Sequence, residues 1–389
     1  MPKIIQDLSI PAIFAGFITF LVGISVSSVL VIQAAQLLGA NQAQITSWFW
    51  ALGIGIGCCG LILSWKFRYP VATSWSTAGL ALIIASAQGY NLYEAIGAFL
   101  LCGLITALFG FMGIFTKILH YIPQSLTSAM LAGVLLKFGI DIFIAMQTHW
   151  GFILSLLTAY ILSKRLWPRY SIVMTVVAAI ILIPFFVDFK LGHIQLSPAT
   201  PILMLPHFSW SAFFGLALPL FVINMASQYL PGLAMIKSYH YEPHVKHLIG
   251  WTGTAQAILA PFGCFSVNIA AISAAISLDD QAHPDPTKRY IAGISCGFFY
   301  IIMGIFAATL TSLLLSFPKI LIIALAGIAL FGTIGHNIAL AFKEQTEREA
   351  TLLTFLFSAS GVQFFGIGSA FWGLLFGLVV YKILQVKKY

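Results

Sequence analysis

The sequence predicts an all-α polytopic membrane protein built as an inverted repeat, and three observations carry that prediction. Of 389 residues, 60% are hydrophobic and 8% charged, against about 25% charged in a soluble domain. The apolar runs are long and apolar all round, not the alternating ten-residue strands of a β-barrel. Two short, broken apolar segments lie 191 residues apart, one from Pro70 to Ala87 and one from Pro261 to Leu278. The first begins Pro70-Val71-Ala72-Thr73-Ser74-Trp75-Ser76-Thr77; the second begins Pro261-Phe262-Gly263-Cys264-Phe265-Ser266-Val267-Asn268. Each joins a proline, a polar stretch able to cap a helix and an apolar tail of about ten residues, a length that spans only ~15 Å. The hydrocarbon core is ~30 Å thick. Paired interrupted segments in corresponding halves of a membrane chain point to a transporter's binding site.

The runs divide into fourteen segments, roughly 10–36, 44–63, 70–87, 92–116, 122–145, 150–163, 170–187, 209–235, 245–260, 264–278, 289–315, 318–342, 349–362 and 368–386. The run Ile10 to Leu38 is too long for the core of a cleaved signal peptide and reads as the first membrane helix. The stretch 150–163 is short, and 349–367 reads either as one helix or as a helix and re-entrant turn. The longest polar stretch, Asp279 to Arg289, leaves no room for a soluble domain. The cysteines Cys58, Cys59, Cys102, Cys264 and Cys296 all lie in apolar runs and read as small buried residues.

Charge supports the count. With both termini cytoplasmic, 16 of the 19 basic residues fall inside. These include Lys66 and Arg68, Lys164 and Arg165, Lys237 and Lys246, Lys288 and Arg289, and Lys343 and Arg348. Lys190 and Lys319 fall outside, and Lys137 within a span. This is a strong positive-inside bias. The net charge of +8 is therefore mostly topology, and no domain offers the basic aqueous face that nucleic-acid binding needs.

Seven segments lie on each side of residue 190, and the halves echo one another. Ile24-Ser25-Val26-Ser27-Ser28 matches Ile223-Asn224-Met225-Ala226-Ser227, and Leu131-Ala132-Gly133-Val134 matches Leu325-Ala326-Gly327-Ile328. Seven is odd, so the second half inserts upside down. The repeats are 1–190 and 205–389, with a site expected near the midplane.

A half-helix starting inside the membrane exposes unpaired N–H groups and a partial positive charge, which a bound anion satisfies. Ser74, Ser76 and Thr77 sit where the first half-helix is expected to start, and Ser266 and Asn268 where the second is. These types also simply cap their own helices, so both readings stand. In the eighth segment, Asn224, Ser227 and Gln228 share one face of a regular helix. They either meet a substrate or hold helices together. Ser25, Ser28 and Gln33 in the first segment raise the same choice. Trp75, Phe265 and Tyr229 lie beside these polar groups, either walling an aromatic ring or packing in the core.

No Asp or Glu sits at the centre of a span. Asp141 ends the fifth segment, four residues after Lys137, and an ion pair across that turn is expected. His336, followed by Asn337, lies within the twelfth segment. It either packs or carries a proton. His336 and Asp141 are the candidates for proton coupling. His240, Glu242, His244 and His247 read as a solvated loop and not as a metal site. Asp279, Asp280, His283 and Asp285 read as a structural loop, with the acids expected to pair with Lys288 and Arg289. No phosphate-binding glycine loop or catalytic triad is present, so neither a nucleotide-driven pump nor an enzyme is expected.

Three stretches carry a family resemblance: Pro70-Val-Ala-Thr-Ser-Trp-Ser-Thr-Ala-Gly, Leu230-Pro-Gly-Leu-Ala, and Ala260-Pro-Phe-Gly-Cys-Phe-Ser-Val-Asn-Ile-Ala-Ala-Ile-Ser-Ala-Ala-Ile followed by Ala282-His-Pro-Asp-Pro-x-Lys-Arg-Tyr. Over nearly the whole chain they resemble the bacterial benzoate/proton symporter family, itself similar to the uracil and xanthine permeases. The resemblance implies a core domain from about 10–116 and 209–315 and a gate domain from about 122–187 and 318–386. It places substrate between the third and tenth segments, against the eighth. Gln228 matches roughly where the nucleobase permeases carry a substrate-binding glutamate. Asn268 matches the asparagine of their tenth segment, and the glutamate before it is Val267 here. Fewer acids suit a carboxylate.

The expected function is therefore proton-coupled uptake of benzoate or a similar aromatic carboxylate by alternating access. The expected site is Ser25, Ser74, Trp75, Ser76, Thr77, Asn224, Ser227, Gln228, Phe265, Ser266 and Asn268. No cofactor or metal is expected, the proton being the coupling ion. The expected partners are the substrate, the bilayer of a bacterial inner membrane and, as an open question, a second copy in a homodimer. The alternatives are a same-fold permease for another small anion or a nucleobase, and a passive channel.

Overall fold

The computed structural model describes residues 6–24, 27–114, 123–168, 171–186, 196–270, 273–365 and 367–385. Ser25 lies outside the described residues. The first apolar run forms α1 (Ile10–Ile24) and α2 (Ser27–Leu37). The hydroxyls of Ser27 and Ser28 turn back onto the carbonyls of Gly23 and Ile24 at the junction. Next come α3 (Gln42–Phe67), β1 (Thr73–Ser74), α4 (Thr77–Ser86) and α5 (Leu92–Met112). Both α3 and α5 open with a capping box, Asn41 with Gln44 and Asn91 with Glu94. Each box satisfies two otherwise orphaned N–H groups.

The expected fifth and sixth segments run together as α6 (Gln124–Leu166), broken only at His149, where φ is −134° and ψ 45°. After α7 (Ser171–Phe186), α8 spans Trp210–Ser238 and contains two π-helical stretches, Phe213–Ala217 and Met225–Tyr229. Then follow α9 (Val245–Leu259), β2 (Asn268–Ile269) and α10 (Ala274–Leu278). The expected eleventh span divides into α11 (Tyr290–Ile305) and α12 (Ala307–Leu315), bent by 71° at Phe306. The chain ends in α13 (Lys319–Ala341), α14 (Arg348–Ser360) and α15 (Ser369–Gln385). Gly361, at φ 67°, stops α14, and Phe364 bridges Ile367 in the turn that follows. Of the two readings of 349–367, a helix followed by a turn is the one found.

By length and apolarity, six described helices are fit to cross a membrane, or seven with the bent pair counted as one. Fourteen expected segments become fewer long helices for a physical reason. One continuous helix holds two segments, and α4, α7 and α15 are short apolar helices. Large apolar side chains stand exposed on the outside, including Trp150, Ile161 and Phe185, as a hydrocarbon solvent allows.

The two broken segments meet. β1 and β2 pair antiparallel, Thr73 opposite Ile269 and Ser74 opposite Asn268. Ala270 extends the ladder by donating its N–H to Ala72 O at 2.8 Å. Pairing gives the non-helical backbone at membrane depth the internal partners it requires. Around this crossing, α11 packs on α1 and α3, and α5 packs on α9. A second group forms as α13 and α14 pack on α6, α15 on α14 and α7 on α6. The α3–α11 contact is close because it lacks side chains. A Cβ on Gly57 would lie 2.6 Å from Gly297 O, and one on Gly53 2.5 Å from Gly304 Cα. Small residues are the usual means of close helix approach in a bilayer.

One end of the molecule gathers Asp7, Arg68, Tyr290, His244 and Pro286 through direct contacts. Tyr290 donates to Asp7 at 2.8 Å, Arg68 lies over the Tyr290 ring, and Tyr241 donates to Pro286 O. The opposite end is tied by the extended stretch 196–209, whose backbone bonds Ser47, Tyr93, Pro261 and Ile305. The expected pairing of Asp280 and Asp285 with Lys288 and Arg289 is not formed. Arg68 pairs with Asp7 at 3.8 Å. Arg289 instead donates to the carbonyls of His283 and Leu278. Nor do Lys137 and Asp141 pair. A cation four residues before an anion is the weaker helical order.

Candidate functional site

The structure holds a cavity of about 790 Å³ where the crossing of β1 and β2 faces α6, α8 and α13. Ser74, Trp75, Thr77 and Ala78 contribute from the first broken segment, and Ala270 and Ser273 from the second. Ala226, Ser227 and Gln228 come from the π-helical stretch of α8. Gln124, Thr127 and Ser128 come from α6, and Gly332, Thr333, His336 and Asn337 from α13. Val22 and Gly23 of α1 and Ser27 of α2 complete the described lining.

Position explains these roles. Ser76 is the N-cap of α4; its hydroxyl accepts from the Gly79 N–H at 2.9 Å. Its own amide donates to Ser266 Oγ, also at 2.9 Å. Both serines are fully buried and spent on each other. The amides of Thr77 and Ala78, the next two positions of the helix, have no partner among the described residues. Because these two residues line the cavity, the positive end of α4 opens into it. Trp75 is held in place by its indole N–H, which donates to Ser27 Oγ at 2.7 Å.

The cavity unites Ser74, Trp75, Thr77, Ser227, Gln228 and His336 of the expected residues. It does not include Ser76, Asn224, Phe265, Ser266, Asn268 or Asp141. Phe265 packs in the core against Trp48 and Phe99. Ser266 and Asn268 do not start the second half-helix. They belong to the extended part of that element, whose described helix is Ala274–Leu278. The N-terminus of α4 is the half-helix start that opens into the cavity.

Asn224 is fully buried and stands outside the cavity lining, whereas Ser227 and Gln228 belong to it. The π-helical stretch Met225–Tyr229 begins directly after it. The wider π turn breaks the 3.6-residue spacing. The side chains of Asn224 and Asn268 are fully buried, and neither has a hydrogen-bond partner among the described residues.

The α6 wall was missed by sequence reasoning. Its signal was present: Gln124, Thr127 and Ser128 stand at i, i+3 and i+4 at the start of an apolar helix, and Thr333, His336 and Asn337 repeat that spacing on α13. The described lining contains no Asp, Glu, Lys or Arg, and His336 is its one ionisable side chain. The site is thus a roomy, mostly apolar chamber. Amides, hydroxyls, one helix N-terminus and one imidazole supply its polarity.

The fold is that of membrane transport proteins. It superimposes on the SLC26A9 structure with a TM-score of 0.65 at 15% identity, covering 98% of this chain and 66% of that one. It also superimposes on the transmembrane domain of the cyanobacterial bicarbonate transporter BicA, with a TM-score of 0.58 at 13% identity and 97% of each chain covered. The chain belongs to the benzoate membrane transport protein family, whose model matches residues 6–383. It is 39% identical over 376 residues to inner membrane protein YdcO of Escherichia coli (strain K12), covering 97% of this chain and 96% of that protein. It is 36% identical over 383 residues to the benzoate membrane transport protein of Acinetobacter baylyi, covering 98% and 97%. The chain is accordingly a membrane transporter, and its family is not one of enzymes.

Proposed function

We propose that this transporter takes up benzoate or a similar aromatic carboxylate together with a proton, by alternating access. The observation that carries the reading is the cavity itself. It joins an apolar lining to a cluster of neutral donors and has no fixed charge among its described residues. The carboxylate lies at the amides of Thr77 and Ala78, with the Thr77 hydroxyl and the Gln228 amide beside it. Trp75 and the aliphatic lining cover the ring. A site without acids does not repel an anion, and the positive end of α4 favours one.

The reading extends to topology. Fourteen segments in two inverted sets of seven form a core and a gate, with both termini cytoplasmic in a bacterial inner membrane. Support comes from the crossing of the two broken segments and from the two packing groups, α1, α3, α5, α9 and α11 against α6, α7, α13, α14 and α15. The cavity is lined by α6 and α13 of the second group on one side and by α1, the two broken segments and α8 on the other, so rocking one side against the other opens it to either face of the membrane. Asn224 and Asn268 are then groups that water or substrate satisfies during the cycle. A homodimer in the membrane is part of the same proposal.

Uptake of radiolabelled benzoate into proteoliposomes, with and without an inward proton gradient, tests the reading. Saturable uptake that the gradient stimulates and unlabelled benzoate competes away is expected. Benzene derivatives lacking the carboxylate should not compete. Uptake indifferent to the gradient would remove the coupling, and linear, unsaturable uptake would point to a channel.

A further inference from the structure

The anion's partner in the cavity carries no permanent charge, yet an anion in a mostly apolar chamber needs compensation. We propose that His336 is the group that carries the coupled proton, an assignment that rests on the carboxylate-transport reading above. His336 projects from the C-terminal part of α13 into the cavity and is exposed there. No hydrogen-bond partner holds it among the described residues. Asn337 is tied to Thr333 O at 2.8 Å, so the neighbouring amide does not occupy the imidazole.

Every competing group among the described residues is elsewhere. The elements packed on α13 are α2, α6 and α7. α2 and α7 carry no titratable residue. α6 carries Lys137, Asp141, His149, Tyr160, Lys164 and Arg165, and none of these lines the cavity. Across the chamber, β1, α4 and the π-helical stretch present only hydroxyls, amides and apolar groups to it. Tyr300 lies behind Ser74 and Gly23, fully buried. Imidazole is also the side chain whose ordinary pKa, about 6.5, lets it load and unload within the physiological range.

The step balances without other reactants. A water-borne proton binds an imidazole nitrogen, and the imidazolium attracts the carboxylate. The loaded chamber is then neutral overall and crosses the bilayer without moving net charge. On the far side the imidazolium returns its proton to water and the carboxylate leaves. One titratable group in the described lining implies one proton for each carboxylate. His336 stands on α13 and the donor amides on α4, and both line the one chamber that holds the anion.

The test uses the full-length protein in detergent and labelled benzoate. In wild type, benzoate affinity should fall about tenfold per pH unit above the imidazole pKa, as required when only the protonated form binds. In weakly buffered solution near pH 7.5, above the ordinary imidazole value of about 6.5, wild type should take up a proton as benzoate binds. His336→Gln should bind weakly, with a flat pH profile and no proton uptake. His336→Lys, whose charge is permanent in this range, should bind with a flat profile and likewise without proton uptake. Proton uptake or a sloping profile surviving in either variant overturns the assignment, as does loss of binding in both. A wild type that binds benzoate without a proton overturns it alone. A wild type that does not bind benzoate overturns the transport reading as well.

Discussion

The hydroxyl of Ser266 accepts a hydrogen bond from the amide of Ser76 at 2.9 Å, joining residues 190 positions apart. The bond locks the N-cap of α4 to the second broken segment, beside the antiparallel pairing of Ser74 and Asn268. Both partners are fully buried, so removing the acceptor strands an N–H with no water to take it. Ser266→Ala should therefore cost about 1–3 kcal/mol. Ser76→Ala removes only the cap on Gly79, about 1 kcal/mol. Thermal unfolding in detergent should rank Ser266→Ala as the more damaging. The opposite order would mean the inter-segment bond is incidental.

Gly332 faces the cavity, and a Cβ added there meets no atom within 4 Å. Gly332→Leu should fold as well as wild type, since a glycine in a helix costs about 1 kcal/mol relative to alanine. Its side chain fills space the aromatic ring needs. The KM for benzoate uptake should rise at least tenfold, while unfolding temperature is unchanged or higher. Unchanged KM would place the ring elsewhere in the chamber.

The site was legible to the extent that it depended on chain punctuation. Pro70 and Pro261 marked the two interruptions, and Ser76 caps α4 where its residue type said a cap should be. The lengths of the apolar runs could not reveal how their interiors bend. A π turn leaves no mark in a run such as Met225–Tyr229, and the run itself does not tell that Asn224 is buried outside a cavity that Ser227 and Gln228 line. Nor did composition show that Ser266 and Asn268 would lie in extended backbone. That outcome depends on a partner strand far away in sequence. The α6 wall was overlooked because Gln124, Thr127 and Ser128 sit at a helix start, where polar residues ordinarily serve as caps.

The loop before α11 should respond to acid. The Asp285 carboxylate accepts from the Thr287 N–H and hydroxyl at 2.9 and 2.7 Å, and these bonds hold its pKa below the ordinary carboxylate value. Its folded pKa is below the unfolded one, so its contribution is present above the unfolded pKa and is lost as pH falls through the folded one. Asp285→Asn should leave the 279–289 loop more open to protease at pH 7. Wild type should show the same sensitivity only below the ordinary carboxylate range. Equal cleavage of both proteins at neutral pH would show that the turn does not depend on this charge.

Arg289 is the fixture that holds the same loop to the helix before it. Its side chain is 8% exposed; Nε donates to His283 O at 2.7 Å and Nη1 to Leu278 O at 2.8 Å. Leu278 is the last residue of α10, so the guanidinium serves a helix C-terminus, where positive charge is favoured. Each such charge-assisted bond is worth about 1.5–3 kcal/mol. Arg289→Ala should lower stability by about 3 kcal/mol and reduce the yield of folded protein. Arg289→Lys keeps the charge but offers a compact ammonium in place of a planar fork, so one carbonyl stays unserved. It should recover less than half of the loss in thermal unfolding. Full rescue by lysine would show that charge alone, and not the two-carbonyl geometry, secures the second broken segment.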